Sequence, residues 1–151
     1  MSATPPPPVA RPRIITTAFW VSVAGAVLLI AGGSLGVTIF LTTPAATAQR
    51  LHLSPQLIVG LGALFMIAGL VLGFLCGRTR NGDKRFRRAQ VALSVVVVLL
   101  TFFLVANGMS SNVTIPTFLG VIPVAVGATL FVRPAASAWF DTVAEQDGPN
   151  G

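Results

Sequence analysis

The side chains that enzymes use for acid–base and nucleophilic chemistry are few in this sequence and lie far apart. There is one histidine, His52, and one cysteine, Cys76. A Ser-His-Asp triad needs a carboxylate beside its histidine, and a metal site needs several ligands within reach of one ion. A long apolar run separates His52 from the nearest acidic residue, Asp83. We therefore expect no enzymatic activity, no metal ion and no other cofactor.

Three isolated features also have functional alternatives. His52 has an ordinary pKa near neutrality and could sense external pH. Cys76 lies close to Arg78, where positive charge makes a thiol more reactive and where a membrane-proximal cysteine can be palmitoylated. The segment Asn112-Val113-Thr114 fits the N-glycosylation pattern at a predicted membrane boundary. We prefer the simpler interpretations. His52 is then a solvated loop residue, Cys76 is a small residue at a helix end, and the segment beginning at Asn112 is not glycosylated.

A cluster of cations within residues 78–88 is the best candidate for a binding surface. Near a membrane, each Lys or Arg contributes about 1 kcal/mol of attraction to anionic lipid. The cluster is not an extended basic face with interleaved aromatic side chains, which argues against nucleic acid binding. We expect contact with anionic lipid headgroups or with a partner protein. The residues concerned are Arg78, Arg80, Lys84, Arg85, Arg87 and Arg88.

Four long apolar runs must position this cluster. Only 9% of the residues are charged, against about 25% in a typical soluble domain. The runs contain no Asp, Glu, Lys, Arg or His, and a membrane-spanning helix needs about 20 such apolar residues. Lipid offers the backbone no hydrogen bonds, so each run should be helical. The sequence predicts an all-α, four-transmembrane-helix bundle with spans at 17–41, 57–76, 89–106 and 113–132.

The distribution of positive charge predicts the orientation of the bundle. With both termini inside, nine of the ten Lys and Arg residues lie on the cytoplasmic side, and Arg50 alone lies outside. We expect an N-in/C-in protein of the plasma membrane, in a bacterium the inner membrane. An alternative is that the first run is a signal peptide cleaved after Ala46-Thr47-Ala48. The run is, however, much longer than the apolar region of a signal peptide. The remaining segments are a Pro-rich tail (1–16), an outer loop (42–56), the basic loop (77–88), an outer turn (107–112) and a cytoplasmic tail (133–151).

Glycines mark the helix faces that should pack, because small residues let helix backbones approach closely in lipid. The second helix repeats the GxxxG pattern at Gly69, Gly73 and Gly77. The third helix contains no glycine, so we expect it to be the most exposed to lipid. Pro123 should kink the fourth helix. The predicted packing glycines are Gly25, Gly32, Gly36, Gly62, Gly69, Gly73, Gly77, Gly120 and Gly127.

Hydroxyl side chains within the runs should bond back to their own helix rather than line a pathway. The residues concerned are Ser22, Ser34, Thr38, Ser94, Thr101 and Thr129.

The sequence of residues 11–33, RPRIITTAFWVSVAGAVLLIAGG, resembles that of small, uncharacterised four-helix membrane proteins of actinobacteria. The resemblance implies four spans and a plasma-membrane location, and it brings no catalytic residues. We expect a non-enzymatic accessory or assembly subunit that packs through its glycine faces against other membrane subunits or itself. The alternative is a small oligomeric transporter or channel component without a membrane-buried charge, hinged at Pro123. A membrane-embedded enzyme is a third and weaker hypothesis.

Overall fold

The structure is a computed structural model that describes residues 12–42, 55–79, 83–108 and 113–146. These residues form helices and the short connections beside them, with no strand in the described ranges. The prediction of an all-α chain is confirmed. The helices are α1 (Arg13–Thr42), α2 (Pro55–Thr79), α3 (Lys84–Ala106), α4 (Ile115–Val132) and α5 (Pro134–Gln146).

Helices α1 to α4 are each long and apolar enough to cross a membrane. The shortest, α4, has 18 residues and spans about 27 Å at a rise of about 1.5 Å per residue. Large apolar side chains also cover much of their outer surface, including Leu41, Phe102 and Ile115, each more than 70% exposed. Soluble monomers rarely expose such continuous apolar patches. These features are those of a multi-pass membrane protein.

The helices extend beyond the predicted spans at the basic segment. Residues 84–88, which we expected in the loop 77–88, form the beginning of α3. Asp83 caps this helix, because its Oδ1 accepts a hydrogen bond from the Arg85 backbone N–H at 2.8 Å. Arg and Lys are good helix formers, so hydrophilic sequence by itself does not end a helix. The predicted tail 133–151 likewise contains α5.

Helix α1 lies between α2 and α4 and packs most closely against both, while α3 contacts the same two helices more loosely. The expectation that α3 is the span most exposed to lipid stays a prediction. Apolar side chains from all four helices meet inside the bundle. This core consists of Ala26, Leu29, Phe65, Leu72, Val97, Leu104, Val113 and Val124.

A second apolar cluster joins α5 to the bundle. Ile15 and Ala18 at the start of α1 pack there with Phe131 at the end of α4 and with Phe140 of α5. Ile15, Ala18 and Phe140 are all at most 1% exposed. The two ends of the described chain therefore lie at the same end of the bundle. We call it the basic end, because the N-terminal turns of α3 that carry Lys84–Arg88 also lie there.

Candidate functional site

Lys84 and Asp141 form an ion pair that connects α3 to α5 at the basic end. Lys84 Nζ lies 2.7 Å from Asp141 Oδ1, and both side chains are partly exposed. The hydrogen bond and the charge of Lys84 lower the pKa of the Asp141 carboxyl below its ordinary value, and Arg87 acts in the same direction. Exposed pairs contribute little to stability because water and salt screen them. The pair therefore adds little to the stability of the contact between α3 and α5, although it determines which side chains of the two helices face each other.

Arg87 is held more firmly between the same two helices. Its Nη1 donates a hydrogen bond to Ser137 Oγ at 3.1 Å, and its Cζ lies 4.9 Å from the centroid of the Phe140 ring. A guanidinium placed over an aromatic face is attracted by the ring quadrupole. These two contacts fix the direction of the side chain while leaving other N–H donors of the guanidinium for further partners.

Arg78 connects α2 to α3 through aromatic contacts. Its Cζ lies 5.7 Å from the Phe74 ring centroid and 5.8 Å from that of Phe86. The two rings themselves meet edge to face at 6.4 Å. Arg78 is thereby part of the packing between these helices, and its charge remains at the surface.

Arg85 and Arg88 differ from the other basic residues of the cluster. Both are exposed, and within the described residues neither side chain makes a hydrogen bond, ion pair or ring contact. Arg80 lies outside the described residues. The structure therefore divides the predicted basic surface into residues occupied by contacts inside the chain (Arg78, Lys84 and Arg87) and residues whose charge is available to a ligand (Arg85 and Arg88).

Glycines of α1 pack directly against α4. A Cβ atom on Gly25 would lie 2.7 Å from Val124 Cγ2, and one on Gly120 would lie 3.0 Å from the Leu29 backbone nitrogen. A Cβ on Gly32 would overlap Thr117, and one on Gly127 would overlap Ser22. At Gly25, Gly32 and Gly120 a larger residue would require a shift of backbone, and at Gly127 it would require the Ser22 side chain to move.

The contact between α1 and α2 depends on Gly62 and Gly69. A Cβ on Gly62 would lie 2.8 Å from the Gly33 carbonyl oxygen, and one on Gly69 would lie 2.8 Å from the Ala26 carbonyl oxygen. Gly33 belongs to the same contact, because a Cβ there would overlap the Gly62 carbonyl oxygen. It was not among the predicted glycines, although it lies next to Gly32, which was. Gly36 makes only an ordinary contact, with its Cβ position 3.6 Å from Thr114 Cγ2.

Gly73 and Gly77 do not share the packing face of Gly69. A Cβ on either would meet nothing within 4 Å, so these two glycines contact no other described helix, and their role in packing stays a prediction. At about 100° per residue, a spacing of seven returns within about 20° of its starting direction, whereas each spacing of four turns by about 40°. Gly62 and Gly69 therefore stay on one face, and Gly77 has turned about 80° away.

Pro123 lies inside α4, which is continuous through it. The predicted kink stays a prediction. The missing N–H at this position leaves the Leu119 carbonyl without its usual helical partner.

The hydroxyl side chains within the spans mostly bond to their own helices. Ser34, Thr38, Ser94, Thr101 and Thr129 each donate to a backbone carbonyl three or four residues earlier. The prediction is confirmed for these five. Ser22 is the exception, because its buried Oγ lies close to the Cys76 sulfur without forming a well-directed hydrogen bond.

Gln90 is a buried polar residue that was not among the polar side chains expected inside the spans. It is 1% exposed, and its Nε2 donates to Cys76 Sγ at 3.0 Å. A polar side chain within a predicted span avoids lipid by facing another helix, so the position of Gln90 in the third run could have indicated its burial. Cys76 is itself fully buried, so this conformation offers no accessible thiol for palmitoylation.

Several sequence features lie outside the described residues. They are the Pro-rich segment, Ala46-Thr47-Ala48, Arg50, His52 and Asn112.

Comparison with protein-family models, with curated proteins and with solved structures finds no match for this chain. The class that the fold defines is an all-α bundle with four candidate membrane spans and a short helix packed at its basic end.

Proposed function

We propose that this chain is a non-enzymatic accessory or assembly subunit of the plasma membrane, which binds a helix of another membrane protein through α2. The observation that carries the proposal is the open pair Gly73 and Gly77, which no other described helix covers. The GxxxG spacing of this pair suits close approach of a second helix in lipid.

The surroundings of this pair support the same conclusion. Leu70, three residues before Gly73, is 57% exposed, and Phe74, next to Gly73, is 60% exposed and also contacts Phe86 of α3. The missing side chains of the two glycines leave space beside these larger residues that a facing helix can fill. The same chain uses Gly62 and Gly69 for such a contact with α1, so α2 has two faces suited to helix packing.

The proposed orientation is N-in/C-in. The basic end contains the start of α1, the end of α2, the start of α3 and α5. Cations concentrate on the cytoplasmic side of membrane proteins. The basic end therefore faces the cytoplasm, and the resemblance to actinobacterial proteins agrees with a bacterial inner membrane.

A transporter or channel component has less support. The buried hydroxyls of Ser94 and Thr101 bond to their own helix instead of lining a path. The cleft between α3 and α4 is apolar, with Val98, Phe102 and Leu119 among its walls.

Co-purification from the native membrane in mild detergent tests the proposal. Gly73→Ile should abolish recovery of the partner while leaving the monomer folded, because the new side chain projects into the partner's place. Gly60→Ile is the matched control, since Gly60 is an equally open glycine of α2. Gly69→Ile should instead unfold the bundle by forcing α1 and α2 apart.

Two outcomes would exclude this function. One is a wild-type protein that is monomeric and without a partner in native membranes after chemical cross-linking. The other is a partner that is retained equally by Gly73→Ile and Gly60→Ile, which would place the interface elsewhere.

A further inference from the structure

We propose that a cleft between α3 and the α4–α5 corner binds the phosphate headgroup of one anionic phospholipid. The cleft has a volume of about 280 Å³, slightly below the range of about 300–1,000 Å³ for small-molecule pockets. It suits a headgroup and the start of an acyl chain. The lining residues are Arg87, Arg88, Val91, Ala92, Val132 and Ser137.

The rim of the cleft is cationic and partly preorganised. Arg87 is fixed by Ser137 Oγ and by the Phe140 ring, so little side-chain entropy remains to be lost when it binds a ligand. Arg88 is the adjacent residue, exposed and without an internal partner among the described residues. A guanidinium presents paired N–H donors that match the oxygens of a phosphate. Two arginines together can hold one phosphate from two sides.

One wall of the cleft is apolar. Val91 and Ala92 lie four residues after Arg87 and Arg88, which is about one helical turn towards the middle of the membrane. Val132 closes this part from α4 and is 60% exposed. The order of charge first and hydrocarbon second along α3 matches the order of groups in a phospholipid. Exposed Val96 and Leu99 continue the apolar surface where an acyl chain would lie.

Neighbouring charges leave this cleft positive. Asp141 approaches the region, but it is paired with Lys84 at 2.7 Å. Arg88 has no such carboxylate among the described residues. Free inorganic phosphate would use the same arginines but would gain nothing from Val91, Ala92 and Val132. The apolar wall therefore favours a lipid as the source of the phosphate.

Native mass spectrometry of the full-length protein tests this site. The protein is released from vesicles of equal parts phosphatidylglycerol and phosphatidylcholine, and the lipid retained per protein is counted. Wild type should retain one phosphatidylglycerol. Arg88→Gln should weaken retention about tenfold, the effect expected for loss of a charged hydrogen-bonded contact. Arg85→Gln is the matched control, because it removes the same charge from an exposed residue of α3 outside the cleft, and it should retain the lipid.

A second pair of variants tests the apolar wall. Ala92→Trp should fill the cleft and expel the lipid, whereas Ala89→Trp places the same side chain on an exposed position outside the cleft and should not. Excess inorganic phosphate should fail to displace the lipid. Displacement by phosphate would identify a free-anion site and overturn the lipid assignment.

Equal loss of lipid in Arg88→Gln and Arg85→Gln would overturn the proposal in favour of general surface charge. Equal retention of phosphatidylcholine would overturn the role of the anionic headgroup. Neither outcome depends on whether Gly73 binds a partner helix, so the two proposals can fail separately.

Discussion

Basic residues close together in the sequence have different roles because their neighbours differ. Arg87 is directed by Ser137 and Phe140, Lys84 is paired with Asp141, and Arg88 has no internal partner in the described chain. A charge that is already satisfied contributes less to a new ligand than one that is not. In the proposed headgroup site, Arg88 is therefore the main binding residue and Arg87 its oriented neighbour.

The ion pair at Asp141 makes a pH prediction. Because its folded-state pKa is lowered by Lys84, the pair contributes stability above the unfolded pKa of about 4 and loses it as the pH falls through the lower folded value. The position of α5 should be unchanged between pH 7 and 5 and should loosen only in stronger acid. Carboxyl NMR shifts of Asp141 in detergent micelles measure this. Lys84→Gln should return the titration to the ordinary range, and an unchanged midpoint in this variant would contradict the contact.

Helix α5 owes its structure to the surface beneath it. It has 13 residues, and isolated helices of such length are marginal in water. Its buried side, including Ala136 and Phe140, packs on Ile15 and Phe131 from two other helices. Folding of the spans therefore has to create the docking surface before α5 is stable.

Phe140→Ala should release α5 from the bundle. Phe140 is completely buried, and truncation of a buried Phe costs about 3–5 kcal/mol. Amides of residues 136–142 should exchange with deuterium at least about tenfold faster, since about 1.4 kcal/mol already gives a factor of ten. Hydrogen exchange by mass spectrometry measures this. Thr142→Ala is the control, because it truncates an exposed side chain of the same helix. Equal exchange in both variants would show that the Phe140 contact does not hold α5.

Glycine spacing has different consequences within one helix. Gly62 and Gly69 keep their direction and bring α2 onto α1, while Gly73 and Gly77 turn towards the outside. The same residue type thereby serves folding on one face and offers a surface for association on the other.

At the scale of the whole molecule, α1 is the central element because both α2 and α4 pack on it. α3 packs less closely and leaves clefts along its contact with α4. A loosely packed helix at the surface of a bundle is where lipid can enter between protein side chains, which is consistent with the position of the proposed headgroup site.

Reporter fusions test the threading of the whole chain. Ile15 and Phe140 pack in one cluster, so reporters at the two termini should lie on one side of the membrane. We expect the cytoplasmic side from the charge distribution. A green fluorescent protein should be bright at either terminus, and alkaline phosphatase should be inactive at both. Phosphatase activity at one terminus alone would contradict four spans.

Sequence reasoning found the four helices because an uncharged run long enough to span a membrane can be recognised from the composition of that segment alone. It also identified the glycines of the α1–α4 contact, where spacing and composition agree. It missed Gln90 and Gly33, whose burial depends on which helix faces them. It could not show that Gly73 and Gly77 contact no described helix, because motif spacing says nothing of which neighbour is present.

The sequence alone determined the helical class, the number of apolar runs and the charged segment, because hydrophobicity and backbone hydrogen bonding in lipid are properties of each segment. Tertiary structure decided which cations are occupied, which glycines stay open and where a cleft forms. These depend on contacts between residues distant in sequence, such as Arg87 with Ser137, and no local pattern encodes them.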